Sequence, residues 1–356
     1  MNASLTPDPD LVATHTTAAT ASVAHWVAQH HGMAVQQCHL IRRGLNDNYA
    51  LRAVDGQRYV ARLYAIRPRG EFNVPFEVSL LAHLHAAGVG VAAPVLTAAG
   101  GTHVPLQFPE GPRALALFVH ADGAVPDALE DFELTGQGLA QIHNAAHGYA
   151  GPPSRYTLNG HHLASRTLDY LRAYPHLAPG LLDTYQQLAA RLLAELSQAE
   201  SGLTRVVCHG DTHGFNNHIS TDAAGVRSGV KRACFFDFDD AGPGFLAYDL
   251  AVMPWSYLTR KALKEPDAVL KERWTHYLRG YRLGGGQVSD ADMAALPLFL
   301  QLRHLWNMGK GVGRLHHWGT SAMPADWLAK QVDVLAAWQA LDLRRWQPET
   351  AAPHAL

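Results

Sequence analysis

A carboxylate, an amide and a second carboxylate stand at positions 211, 216 and 237 in a pattern suited to phosphoryl transfer. The stretch VVCHGDTHGFNNHI, Val206 to Ile219, reads as a strand that delivers His209, Gly210 and Asp211 to an exposed loop. Asn216 follows Asp211 by five positions, and a second strand in ACFFDFDDAGPG carries Asp237 near its end. Moving a phosphoryl group to a hydroxyl requires a carboxylate that accepts or orients the hydroxyl. It also requires hard oxygen ligands that hold Mg²⁺ against the β- and γ-phosphates. Asp211 or Asn216 alone would be an ordinary polar turn. The three together are poorly explained that way.

Protein kinases place the first two groups five residues apart in one loop and the third on the next hairpin. Here His209-Gly210-Asp211-Thr212-His213-Gly214-Phe215-Asn216 resembles the HGDxHxxN loop of aminoglycoside phosphotransferases, homoserine kinase and choline kinase relatives. Phe236-Asp237-Phe238-Asp239-Asp240-Ala241, followed by Tyr248-Asp249-Leu250-Ala251, resembles their IDWEDA and YDLA stretches. The resemblance implies ATP and Mg²⁺ as cofactors, Asp211 as catalytic base, and Asn216 and Asp237 as metal ligands. His209 and Asp249 would brace the loop by hydrogen bonds.

The amino-terminal half carries looser matches. Gly44-Leu45-Asn46-Asp47-Asn48-Tyr49 forms a turn before YVARLY, where this superfamily covers the nucleotide phosphates, although an ordinary hairpin turn fits equally. Gly44, Asn46 and Asn48 are its candidate nucleotide contacts. Arg62 lies on the strand face opposite Ala61 and Leu63, so it could point at phosphates. Its planar, always-charged head can bridge phosphate and carboxylate. Glu77 opens the next helix as the expected partner of Arg62, with Glu71 as competitor. A solvated charge at a helix start serves either one. LALFVHAD, Leu115 to Asp122, resembles the inter-lobe hinge, where adenine would bond to main chain near Phe118 and Val119. Leu139 to His143 resembles the LAxLH helix, for which core packing is expected.

These residues need elements to position them. Ser22 to His31 reads as a helix, and Cys38 to Tyr64 as strands broken at Gly44–Asp47 and at Asp55-Gly56, a hairpin signal. Phe76 to Ala87 has helical spacing, and Pro94 to Val104 and Leu115 to Val119 offer further strands. After His120 the patterns are mainly helical, at Leu134–His147, Leu163–Tyr174, Leu181–Ala199, Ala268–Tyr281, Ala294–His317 and Ala325–Leu343, with one more starting at Leu250. The fold expected is α+β and two-lobed, like a protein kinase. A small antiparallel-sheet lobe would span 1–119 and a mostly helical lobe 120–356.

Composition narrows the function. The 356 residues are 47% hydrophobic and 17% charged, with a net charge of -2, so nothing favours a nucleic acid or an acidic membrane as partner. Cys38, Cys208 and Cys234 lack metal spacing and read as reduced thiols, and a cytoplasmic protein is expected. The Thr/Ala-rich first 20 residues read as a frayed terminus. Histidine pairs such as His316-His317 diverge from one another and do not suggest a metal site.

The partner expected is a small-molecule hydroxyl acceptor. Asp239, Asp240, Arg303 and Asn307, with Trp306 and Lys310 at helical spacing, are candidates to line its pocket. Acidic residues there would suit an amine-bearing acceptor. Two alternatives stay open. Pro297 to Gly319 resembles in character a bacterial stress-response Ser/Thr protein kinase, and a nucleotide-binding pseudokinase would share the fold. A metallophosphoesterase lacks its later motifs: after residue 218 there is no GDxxD, no second Asn-His and no GHxH.

Overall fold

A computed structural model describes residues 10–66, 73–223, 226–324 and 326–346. By the density of their contacts they fall into two compact units, Met1–Pro75 with Pro94–His120, and Phe76–Ala93 with Ala121–Leu356.

The smaller unit is an antiparallel sheet covered by one helix. Strands β1 (Val35–Arg43), β2 (Asn46–Ala53), β3 (Arg58–Tyr64) and β6 (Gly111–Val119) run side by side. The far edge of β6 is shared by β4 (Pro94–Val95) and β5 (Val104–Phe108). The Asp55-Gly56 turn falls where expected, with Gly56 at φ +85°, a conformation glycine adopts freely. In place of the single segment expected from Pro94 to Val104, the chain gives two short strands around a turn with Gly100 at φ +80°.

Alternation then sorts the side chains. Tyr49, Leu51, Ala61, Leu63, Leu115 and Leu117 form the buried core with Val23 and Val27 of α1 (Thr20–His31). Each large apolar side chain so buried contributes about 1.5–3 kcal/mol. Asn48 and Arg62 are direct cross-strand partners and take the opposite parity.

The segment ahead of α1 is held in place. His15 Nε2 lies 3.1 Å from the buried carboxylate of Asp47, and the Thr16 N–H donates to Glu110 at 2.9 Å. Arg113, 1% exposed, donates to Asp47 at 2.9 Å and to the Thr16 carbonyl at 2.7 Å. Residues 15–18 are therefore not the frayed terminus their composition suggests. Single polar contacts fix them without any hydrophobic period.

The larger unit is mostly helical. It includes α2 (Val74–Ala86) from Phe76 onward, α3 (Leu129–Ala146), α4 (Arg166–Ala173) after a π-turn at His161–Ser165, and α5 (Leu181–Ala199). Two antiparallel strand pairs follow, β7 (Arg205–Cys208) with β10 (Gly242–Phe245) and β8 (Asn217–Ala223) with β9 (Val226–Phe235). The remaining helices are α6 (Leu246–Arg260), α7 (Ala268–Leu283), α8 (Asp290–Val312), α9 (Leu315–Trp318) and α10 (Trp327–Gln339). Helix α8 starts four residues before the expected Ala294, because Ser289 and Asp292 form a capping box. None of the described helices is long and apolar enough to cross a membrane.

Helices α3 and α7 cross closely through glycine. A Cβ on Gly136 would lie 1.9 Å from the Tyr277 carbonyl oxygen, and one on Gly280 1.8 Å from that of Glu133. Gly280→Ala should therefore force the helices apart and destabilise the protein by about 1–3 kcal/mol. A wild-type midpoint in urea for that variant would refute this account of the crossing.

Candidate active site

Strand pairing assembles the candidate residues of the larger unit. Register places Gly242 of β10 opposite Cys208 of β7, and the chain turns directly into α6, so Asp249 in its first turn reaches the loop after β7. The Asp249 carboxylate accepts the N–H groups of His209 at 2.7 Å and Gly210 at 2.8 Å. Its main-chain carbonyl accepts the Thr212 hydroxyl at 2.9 Å. Gly210 has φ +85°, and a Cβ there would sit 2.2 Å from the Asp240 carbonyl, so both strain and space demand glycine.

His209 is fully buried. Its Nε2–H donates to the Phe236 carbonyl at 3.1 Å, and Nδ1 accepts the Asp211 N–H at 3.3 Å. Both bonds suit a neutral imidazole, and burial lowers its pKa in agreement.

Asn216 and Asp237 are brought to the open ends of β8 and β9. Asn217 pairs with Phe235, and the Phe236 N–H donates to the Asn216 carbonyl at 3.0 Å. The Asn216 side-chain N–H₂ donates to the Asp211 carbonyl at 2.9 Å, which leaves Oδ1 as the amide atom able to ligate a cation. Asp237 has φ +69°, a left-handed conformation that costs an ordinary residue about 1–2 kcal/mol. One amide oxygen and one carboxylate fit Mg²⁺, a hard ion that keeps waters and phosphate oxygens in its remaining positions. Among the described residues there is no group of three or more His, Cys, Asp or Glu that could hold a metal ion.

Asp211 keeps 14% of its side chain exposed at the loop tip. Burial works to raise its pKa, but the Arg303 guanidinium, with His213 and Lys310 beyond it, more than offsets this and lowers it. Asp211 is thus an ionised carboxylate at neutral pH. Its Oδ1 is bonded to Arg303 Nη2, and its Oδ2 lies 3.7 Å from His213 Nε2.

The residues expected to line an acceptor pocket separate into several environments. Asp240 is buried and lies 3.5 Å from Lys310, whose ammonium sits 4.3 Å from the Trp306 ring centre. The Asp239 carbonyl accepts the Tyr156 hydroxyl at 2.6 Å. Trp306 is buried and donates to His162 at 3.1 Å, whereas Asn307 is half-buried on α8. Arg303 is 1% exposed and buried against the loop.

Core packing is expected of His143, and it does more. It is the histidine on the apolar face of α3, donating from Nε2 to Asp249 at 3.0 Å while Nδ1 accepts the Tyr281 hydroxyl at 2.8 Å. The signal in the sequence is a histidine among Leu139, Ala140 and Ile142, where burial demands a partner.

In the smaller unit, Arg62 is buried with its Nε 3.4 Å from Asn48 Oδ1 and its guanidinium 5.6 Å from the Phe118 ring centre. Asn46 Oδ1 accepts the Ala65 N–H at 3.3 Å, and the Gly44 N–H donates to the Asn46 carbonyl at 3.2 Å, closing the turn. Val119 pairs with Tyr59 at the end of β6. Glu77, 1% exposed, stands in the first turn of α2 in the larger unit. Glu71 lies outside the described residues.

A model of the family described as "Phosphotransferase enzyme family", APH, matches residues 38–285. An uncharacterized protein of Deinococcus radiodurans is 33% identical over 328 residues, 92% of each chain. A homoserine kinase of Xanthobacter autotrophicus is 29% identical over 268 residues, 73% of this chain and 74% of its own. Among solved structures, the amicoumacin kinase hAmiN in complex with AMP-PNP, Ca²⁺ and Ami shares the kinase-like fold. Its TM-score is 0.67 at 22% identity, over 92% of this chain and 95% of that one. The family match takes in every loop and strand from His209 to Asp249, and the chain belongs to the APH family of phosphotransferase enzymes.

Proposed function

We propose that this phosphotransferase moves the γ-phosphoryl group of ATP to a hydroxyl of a small, amine-bearing molecule such as an amino alcohol or aminoglycoside. The observation that carries the reading is Asp211, an ionised and partly exposed carboxylate on a loop held by buried hydrogen bonds. Asp211 orients the acceptor hydroxyl and takes its proton as the new O–P bond forms and ADP leaves. Asn216 and Asp237 would hold Mg²⁺, which would neutralise charge on the phosphate oxygens. His209 and Asp249 keep the loop in shape.

In the smaller unit, Arg62 is assigned to the nucleotide phosphates, with Gly44, Asn46 and Asn48 at the turn and main chain at Phe118 and Val119 for the base. Relatives named homoserine kinase and amicoumacin kinase support a small acceptor over a protein. The amine is assigned from the acidic residues of the loop after β9, of which Asp240 also lies 3.5 Å from Lys310.

The test is Mg²⁺-dependent ATP consumption by wild type and Asp211→Ala across a panel of amino alcohols, homoserine, aminoglycosides and a generic protein. Acceptor-stimulated turnover should fall roughly 10²- to 10⁴-fold in the variant, the usual span for a lost general base. Stimulation by the protein alone would overturn the small-acceptor assignment. ATP binding without turnover on any acceptor would overturn the kinase assignment.

A further inference from the structure

Arg303 stands in the middle of α8, 92 residues from Asp211 in sequence, and is 1% exposed. Its guanidinium carbon lies over two indoles, 4.5 Å from the Trp255 ring centre and 4.6 Å from that of Trp306. Nη1 donates to the Gly210 carbonyl at 2.9 Å and to the Tyr248 hydroxyl at 3.0 Å, while Nη2 donates to Asp211 Oδ1. Cation–π contact with two rings, together with burial, removes most of the freedom that makes a long side chain a poor positioning device.

The helix is itself anchored to the strand that leads into the loop. Asp292, at the start of α8, accepts the N–H of Thr204 at 2.9 Å and its hydroxyl at 2.7 Å, immediately before β7. Strand β7 and helix α8 are thus tied at one end through Thr204 and Asp292, and at the other through Asp211 and Arg303.

Resting on the kinase reading, we infer that Arg303 is a positioning residue for Asp211 and not a ligand of the acceptor. It occupies Oδ1 and fixes the carboxylate plane, so that Oδ2 is the oxygen left to meet the hydroxyl and receive its proton. The planar fork is what allows one side chain to hold a main-chain carbonyl, a phenol and a carboxylate together. A lysine ammonium would not span those partners.

The test uses Arg303→Met, Arg303→Lys and Arg303→Ala in the full chain, with folding followed by near-UV circular dichroism. Arg303→Met should lower kcat about 10- to 100-fold while KM for acceptor and ATP stays within about threefold, as for loss of alignment. Arg303→Lys should recover little of this. Millimolar guanidinium should restore part of kcat to Arg303→Ala, and methylammonium should not. A raised acceptor KM at unchanged kcat would overturn the inference and return Arg303 to the acceptor pocket.

Hydrogen exchange of the Gly210 and Asp211 amides needs no turnover, so it separates this inference from the kinase reading. Exchange should quicken by about tenfold or more in Arg303→Lys, as local opening becomes easier. Unchanged exchange would overturn the inference. Faster exchange in a protein silent on every acceptor would fault the kinase reading and leave the positioning contact standing.

Discussion

Asp237→Asn should lower Mg²⁺-dependent turnover by roughly 10³-fold or more, because a metal-held phosphoryl group loses several kcal/mol of charge stabilisation. The position calls for two variants, since its backbone is left-handed at φ +69°. Asparagine tolerates that conformation and removes the charge alone, while alanine adds about 1–2 kcal/mol of backbone strain. Asp237→Ala should therefore lose both turnover and stability, and Asp237→Asn turnover alone. An Mg²⁺ titration of ATP consumption at fixed acceptor checks this. Near-normal rates for the asparagine variant at any Mg²⁺ concentration would remove Asp237 from the metal site.

The second large effect is expected at Asp249, which is fully buried and serves both loop and core. Its carboxylate collects two main-chain N–H groups and the His143 imidazole. Asparagine at this position can offer one acceptor oxygen, so one buried N–H would face an N–H₂ group. An unsatisfied buried donor costs about 1–3 kcal/mol, and the lost charge-assisted bond adds to it. Asp249→Asn should thus destabilise the protein by about 3 kcal/mol and depress turnover in proportion to the loosened loop. Denaturant melting read together with kcat would check it. An unchanged melt would mean that the loop is held elsewhere.

Much of this site is legible in the chain because its members are close in sequence. Asp211 and Asn216 share one loop, and Asp237 follows on the partner strand of the next hairpin, so spacing and strand pattern suffice. The face of Arg62 is legible for a similar reason: alternation against Ala61 and Leu63 settles it once β3 is recognised.

Arg303 and His143 are different. Each reaches the site from a helix far away in sequence, and its helical spacing reads equally well as pocket or core. What decides their roles is which carboxylate the packed helix meets, and periodicity does not encode that. The Arg113–Asp47 ion pair escapes for the same reason, linking strands 66 residues apart through a single buried contact.

That ion pair and the path of the chain bear on how the molecule is made. Synthesis runs from the amino terminus, and a domain usually condenses once its own residues have emerged. Here the smaller unit cannot finish when α1 and β1–β3 appear, because Thr16 and Asp47 wait for Glu110 and Arg113. The segment between them, Phe76–Ala93, waits longer still, since Gly90 and Ala92 bond to Phe235. The nascent chain must therefore carry open strands until Arg113 emerges, and an incompletely docked α2 segment until Phe235 does. Chaperone dependence during synthesis, and not resistance of the finished protein to heat, is where that delay would be felt.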